Sequence, residues 1–297
     1  MEHLDDCVRS IIRFPSEGGY DIYVIHSDLD LNDQKQLERY DKDIEGNSVT
    51  FHFIDMKYRK DMNFPETDRY PMEIYYRIYA AALLPETLDR ILYLDADIIV
   101  IRSLKELYEM DFEDNYFLAC THIRKFLNKM NRLRLGIEEK VPYINTGVIL
   151  MNLDVLRKKQ DFHEVGRFVE EHRKTLTLPD QDIIAALYGT HIGLIDTMRY
   201  NLSDRMIAFY NMEPNHEKID RTWVRENAVI LHYCGKQKPW NKNYVGILDA
   251  FYHELKDEEK GSVEGTTIAY DGIALLVNPA NTVKNISLED VKKVYTG

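Results

Sequence analysis

Leu4, Val8, Ile11 and Ile12 recur at the spacing of one helical face, so the chain opens on an amphipathic helix. The stretch Pro15-Ser-Glu-Gly-Gly19 reads as a turn, and Tyr20–His26 as the first strand. Val49–Met56 predicts a second strand, and Pro71–Leu84 a helix with proline at its first position, where a missing N–H is tolerated. From Ile91 to Ile101 the chain is apolar except for Asp95 and Asp97, which flank Ala96. Ile91–Leu94 lacks the alternation of a half-exposed strand and therefore predicts one buried on both faces. A helix over Leu104–Met110, with Ser103 and Glu106 at capping-box spacing, and strands over Tyr116–Thr121 and Ile144–Leu153 follow. This alternation predicts an α/β fold with a mostly parallel, doubly wound sheet. No internal repeat or low-complexity stretch interrupts it. The first break in composition, residues 256–265, reads as a linker between a domain over 1–255 and a tail over 266–297.

Asp95 and Asp97 fall at the carboxyl end of their strand, where open α/β sheets bind ligands. Two carboxylates this close repel each other unless a cation neutralises them. Hard oxygen donors suit Mg²⁺ or Mn²⁺ holding a phosphorylated substrate, since these ions keep positions open for phosphate oxygens. An isolated Asp-X-Asp would more simply be a polar turn; the buried strand before it argues against that. A second apolar run, Val229–Leu231, delivers His232 and then a glycine turn at Gly235 with Lys236 and Lys238. The glycine allows close approach of backbone to an oxyanion, lysine adds a point charge, and His232 offers a nitrogen ligand, an arrangement fit for a diphosphate. Asn145 and Gly147 begin another apolar run, and Leu178-Pro-Asp-Gln-Asp182 has the form of a helix start. Capping would account for Asp180 alone. Asparagine, aspartate and glutamine together are the groups that fix sugar hydroxyls in a pocket.

A net charge of -12 argues against a nucleic-acid-binding surface, so an anionic substrate needs local neutralisation. Cys7, Cys120 and Cys234 match neither a disulfide framework nor a zinc pattern, which fits a reducing cytosol. No signal peptide and no run long enough to span a bilayer is visible, so the expected location is cytoplasmic, or peripheral at the inner face of the membrane.

These residues resemble the family 8 glycosyltransferases, which have a GT-A fold and move hexoses from UDP-sugars with retention of configuration. The resemblance covers roughly residues 1–255 and rests on Tyr75-Tyr-Arg77 with Leu84-Pro85, Tyr93-Leu-Asp-Ala-Asp97, Tyr143-Ile-Asn-Thr-Gly147, Leu178-Pro-Asp-Gln-Asp182 and His232-Tyr-Cys-Gly-Lys-Gln-Lys-Pro-Trp240. It implies Mn²⁺, or Mg²⁺, on Asp95, Asp97 and His232, with Ala96, Gly235 and Lys238 at the nucleotide diphosphate. Arg77, Asn145, Asp180 and Gln181 would face the donor sugar. The implied reaction transfers glucose or galactose from UDP to a glycan or glycolipid. Retention by double displacement needs a carboxylate nucleophile, which Gln181 is not. The resemblance suggests instead a front-face route with Gln181 near the anomeric carbon, and Asp180 as the nucleophile if a covalent step exists.

The chain departs from that family in two places. Members begin with a strand whose Asp-containing end holds uridine, whereas this sequence starts at the following helix, which leaves a sheet edge and apolar surface beside the nucleotide. The expected consequences are weakened donor binding and, as other readings, a silent metal- and UDP-binding fragment or a nucleotide-sugar hydrolase. Residues 266–297 read as strand, turn and helix and resemble a piece of a phosphate-type solute-binding protein, so they form a foreign-looking tail. The sequons at Asn201 and Asn285 carry no weight without a secretory route.

Overall fold

The computed structural model describes residues 2–16, 18–40, 48–57, 72–121, 125–261, 264–267 and 274–277. The elements in chain order are α1 (Glu2–Ile12), β1 (Tyr20–His26), α2 (Leu31–Glu38), β2 (Val49–Asp55), α3 (Glu73–Tyr76), α4 (Ala80–Leu83), β3 (Arg90–Leu94), β4 (Ile98–Val100), α5 (Lys105–Tyr108), β5 (Phe117–Cys120), α6 (Lys125–Leu135) and β6 (Asn145–Asn152). There follow α7 (Leu153–Lys159), α8 (Phe162–His172), α9 (Pro179–Tyr188), β7 (Ile192–Leu194), α10 (Thr197–Tyr200), α11 (Asp204–Met212), α12 (Arg221–Asn227), β8 (Ile230–His232) and α13 (Asp249–Gly261). The chain divides into two compact units, residues 1–248 and 249–297.

In the first unit β3, β6, β5 and β7 form one sheet in that order, while β1–β2 and β4–β8 form two-stranded ladders. β6 is buried at every position but its last. Ile149 and Met151 enter one apolar cluster with Phe117 and Leu153, and Val148 enters another with Ile98, Val100 and Ile230. Successive strand side chains point to opposite faces, so this alternation places β6 at the centre of a three-layer α/β core.

The expected α/β class holds, but the sheet is mixed. β1–β2 and β5–β7 are parallel, whereas β6 runs antiparallel to both β3 and β5. The connection from β5 to β6 returns to the end it left, pairing Cys120 with Asn145, so β6 must run back along β5. The apolar run from Ile91 splits at Asp95-Ala-Asp97 into β3 and β4, and β4 pairs antiparallel with β8. β3 is half-buried at all five positions instead of fully buried. It is paired on one side, with β6, among the described residues, as β1 is paired with β2.

Two helices differ from expectation. The Pro71–Leu84 helix is broken into α3, a 3₁₀ turn at Arg77–Tyr79 and α4; Pro71 itself lies outside the described residues. Gln160 Nε2 donates to the carbonyl of Ile78 at 2.8 Å, satisfying a backbone group within the tightened turn. The capping box at Ser103 does not form: α5 starts without a side-chain cap, and Glu106 instead pairs with Arg199 at 2.6 Å.

In the second unit α13 runs through Lys256 to Gly261, so that part of the composition break is helical, its Glu and Lys residues being good helix formers. Strands β9 (Glu264–Thr267) and β10 (Ala274–Val277) pair antiparallel. The helix expected near Ser287, and the sequon at Asn285, lie outside the described residues.

Candidate active site

β3 ends at Leu94, β6 begins at Asn145 and β8 ends at His232, and the pairings Leu94↔Val148 and Ile98↔His232 bring these ends together. The Asp95 N–H donates to the Gly147 carbonyl at 2.9 Å, and the Tyr233 N–H to the Asp97 carbonyl at 3.1 Å, locking the acidic turn between β3 and β4 from both sides.

Each carboxylate is anchored through one oxygen. Asp95 Oδ1 accepts from Tyr93 Oη at 3.0 Å and pairs with Arg77 at 3.0 Å, while Asp97 Oδ2 pairs with Lys238 Nζ at 2.5 Å. The other oxygens turn to His232: its Nε2 lies 3.2 Å from Asp97 Oδ1 and 3.9 Å from Asp95 Oδ2. One ligand atom from each of these three residues falls within 4.8 Å of the others. Gly147 makes room for the group, since a Cβ there would stand 2.3 Å from His232 Cε1 and 2.8 Å from Asp95 Oδ2. Two carboxylates and an imidazole over a floor that has no side chain fit a divalent ion such as Mn²⁺, whose preferred donors are oxygen with borderline nitrogen. Burial by itself would raise Asp97, but the hydrogen bonds and charge of His232 and Lys238 outweigh it and hold the carboxyl well below the usual range. Cys7, which donates to the Asp95 carbonyl at 3.8 Å, is a buried thiol pushed up to about 12 by burial and by the two aspartates. All three cysteines are unpaired.

Beside this cluster stands a second one. Proline at N1 starts α9, and its first turn carries Asp180, Gln181 and Asp182, all buried. Asp180 Oδ2 accepts from Thr146 Oγ1 at 2.5 Å and lies 3.3 Å from Arg77, whose guanidinium also donates to the Thr146 carbonyl at 2.8 Å and stacks over the Tyr93 ring at 4.6 Å. Burial would lower Arg77, yet Tyr93, Asp95 and Asp180 more than offset it, so its charge is secure. For Asp180 burial wins over Arg77 and Thr146, and its carboxyl is pushed up. Gln181 Oε1 is buried with no hydrogen-bond partner among the described residues, an arrangement that favours a ligand able to donate to it. Asp182 is different: it accepts from Arg134, from Tyr143 Oη at 2.7 Å and from the Thr177 N–H at 2.8 Å, and so anchors the start of α9.

Of the residues singled out in the sequence, Asp95, Asp97, His232, Lys238, Arg77, Asp180 and Gln181 meet in these two adjoining clusters. Ala96 is exposed at the tip of the acidic turn, and Gly235 is exposed with φ 99°, a conformation that favours glycine. Asn145 is buried, and its Oδ1 is engaged by the Gly147 N–H at 3.2 Å and by Asn201 Nδ2 at 2.7 Å. Thr146 and Tyr93 lie inside two of the motifs quoted above, yet the sequence reading assigned no role in the site to them or to Asn201. A hydroxyl beside Asn145 and a tyrosine within the β3 run carry no local signal, and Asn201 stood out only as a sequon, although it is 2% exposed.

A mixed α/β sheet whose strand ends gather carboxylates, a histidine and lysine is the GT-A type of architecture. It aligns with the galactosyltransferase LgtC, solved in complex with donor and acceptor sugar analogs, at TM-score 0.68 and 21% identity over 86% of this chain and 91% of that one. Glycosyl transferase family 8 matches residues 2–244, and the chain belongs to that family. The Lipopolysaccharide 1,2-glucosyltransferase of Escherichia coli is 28% identical over 195 residues, 65% of this chain and 56% of that protein. General stress protein A of Bacillus subtilis (strain 168) is 26% identical over 255 residues, 84% of this chain and 86% of that protein. The chain therefore spans little more than half of the first relative and most of the second. No helix among the described residues is long and apolar enough to cross a membrane.

Proposed function

We propose that the chain is a retaining hexosyltransferase that moves glucose or galactose from a UDP-sugar to a glycan or glycolipid acceptor, with Mn²⁺, or Mg²⁺ in its place, on Asp95, Asp97 and His232. The observation that carries this reading is the adjacency of that three-ligand cluster to the Arg77–Asp180–Gln181 cluster. Relatives named for lipopolysaccharide glucosyl and galactosyl transfer support a glycolipid acceptor. Unpaired cysteines support a cytoplasmic location, at the inner membrane face where such an acceptor would lie.

When bound, the ion supplies positive charge against the diphosphate leaving group. Lys238, on the exposed glycine turn, adds a second positive charge, and Gly235 exposes backbone there for the phosphates. Arg77 ties Asp95 to Asp180 and so fixes the distance between the leaving-group side and the sugar side. Gln181 presents its unpartnered oxygen to the sugar, where charge develops as the anomeric carbon becomes oxocarbenium-like. Asp180, buried and pushed up, is the nearest carboxyl should the sugar pass through a covalent link.

The test is UDP release from UDP-glucose and UDP-galactose, with and without glycan and glycolipid acceptors. We expect acceptor-dependent release that chelation abolishes and that Asp97→Ala reduces by about 10²-fold or more. Equal release without acceptor would make the protein a nucleotide-sugar hydrolase. A folded sample that binds UDP and Mn²⁺ without turnover would make it a binding protein.

A further inference from the structure

His232 is 2% exposed, and its two ring nitrogens face different chemistry. Nε2 faces the carboxylates; Nδ1 lies 2.7 Å from Asn201 Oδ1. Which nitrogen carries the proton can be worked out from the partners, starting at a group with no freedom. The Gly147 backbone N–H is only a donor, and it points at the Asn145 side chain at 3.2 Å, so the Asn145 atom there must be the amide oxygen. The Asn201 atom 2.7 Å from that same oxygen must then be the amide nitrogen. The opposite end of the Asn201 amide is its oxygen, an acceptor, and the ring nitrogen it meets must donate.

From this chain of donors and acceptors we infer that Asn201 is a positioning residue for the metal site, holding His232 with its proton on Nδ1 and the Nε2 lone pair directed at the ion. The proposal rests on the metal reading given above. Ligating histidines generally donate their other N–H to a fixed acceptor, which sets ring orientation and raises ligand basicity. Without an ion, Nε2 meets Asp97 Oδ1 at 3.2 Å as the second donor of a charged ring; a bound ion takes the place of that proton and receives the lone pair, while Asn201 keeps the Nδ1 proton in place. Asn201 is placed by its own fold elements: it follows α10, and the Leu202 N–H donates to the Ile230 carbonyl at 3.1 Å, which sets Asn201 alongside β8. The relay runs from the first residues of β6, through Asn201, to the last residue of β8, so one asparagine couples two of the strand ends that build the site.

The test has two arms. In metal-free, mildly alkaline protein with ¹⁵N-labelled histidine, long-range ¹H–¹⁵N correlation reads the His232 tautomer, assigned by loss of the signal in His232→Ala. Wild type should show the Nδ1–H form, and finding Nε2–H would overturn the inference, whatever the metal does. In the second arm, Mn²⁺ affinity is read from the free-ion EPR signal. Asn201→Leu, which keeps the volume and removes the acceptor, should weaken binding about 10- to 100-fold, while Asn201→Asp, which keeps an acceptor for Nδ1 but opposes the Asn145 oxygen, should lose clearly less than Asn201→Leu. Wild-type affinity in a folded Asn201→Leu, or equal losses in the two variants, would overturn it. If Asn201→Leu does not fold, the wild-type tautomer still decides. Failure of wild type to bind Mn²⁺ at all would overturn the metal reading, a result distinct from a wrong tautomer.

Discussion

At Gly147 the absence of a side chain is itself a site feature. The neighbours a Cβ would meet are the imidazole and carboxylate of two candidate ligands, and both are held by other contacts, so neither can retreat freely. Gly147→Ala is expected to lower Mn²⁺ affinity by about ten-fold or more and to destabilise the fold by about 1–3 kcal/mol, as overpacking does; calorimetric metal titration and thermal unfolding read the two effects. Asp180 makes a different prediction. Its carboxyl is pushed up, mainly by burial, so the fold favours the protonated form. The stability this group contributes is complete below its unfolded value and is lost as pH rises through the folded one. Above the ordinary aspartate value the fold is therefore penalised for carrying this carboxyl, and Asp180→Asn, which does not ionise, should raise the unfolding midpoint at neutral pH while donor turnover falls. The difference in midpoint should shrink as pH drops toward and below the ordinary aspartate value, and a lower midpoint for the variant at neutral pH would refute the assignment.

At the scale of elements, the two aspartates of one short motif serve opposite sides of α9. Residues two apart on a helix lie about 200° apart around its axis, so Asp180 and Asp182 cannot face the same way. Asp182, fully buried against Arg134 and Tyr143, fixes the helix start that carries Asp180 and Gln181. Asp182→Ala would leave the buried Tyr143 hydroxyl and the Thr177 N–H without their acceptor and free the half-buried Arg134 guanidinium, and should cost about 1–3 kcal/mol, measured by denaturant unfolding. The segment after the lysine turn has its own anchor: Asp204, the first residue of α11, accepts from Tyr244 Oη and from the Ile247 N–H at 2.7 Å. Gly246 passes so close that a Cβ would overlap that carboxylate. Asp204→Ala should destabilise by about 1–3 kcal/mol and raise the donor KM more than it lowers kcat, because the turn bearing Lys238 loses its downstream support.

For the whole molecule, the site sets Arg77 and Lys238 against the carboxylates Asp95, Asp97 and Asp180, on a chain with net charge -12. Arg77 and Lys238 are both engaged by site carboxylates, so without an ion the protein offers a UDP diphosphate little unneutralised positive charge. UDP binding should therefore depend on Mn²⁺. In a thermal-shift experiment, UDP at about 100 times its Kd with Mn²⁺ should stabilise the fold by about 2.7 kcal/mol, with the shift lost on chelation or in Asp97→Ala. A shift by UDP alone of equal size would separate the nucleotide site from the metal cluster.

Much of this was legible along the chain. The apolar runs, the glycine turns and the chemistry at their ends are local features, so β1 was read to the residue and the acidic turn, His232, Lys238, Asp180 and Gln181 stood out. Those residues signal themselves because charge and amide groups at the ends of apolar strands have little reason to be there except a cap or a ligand. Other features arise only when distant segments meet. The direction of β6 follows from where its connection returns, and the 3₁₀ turn at Arg77 has its Ile78 carbonyl satisfied by a glutamine from a different segment, Gln160. The division of each carboxylate into an anchored oxygen and a ligand-facing one depends on Arg77 and Lys238 arriving from segments distant from the acidic turn, with Tyr93 of β3 the one local partner. Asn201, 31 positions from His232 and 56 from Asn145, bears no local mark of its role. Sequence alone determined which chemical groups this protein brings to its strand ends, because strand and turn patterns are short-range. Tertiary structure decided which atom of each group faces which partner, because hydrogen-bond direction is set only by neighbours that the fold brings together.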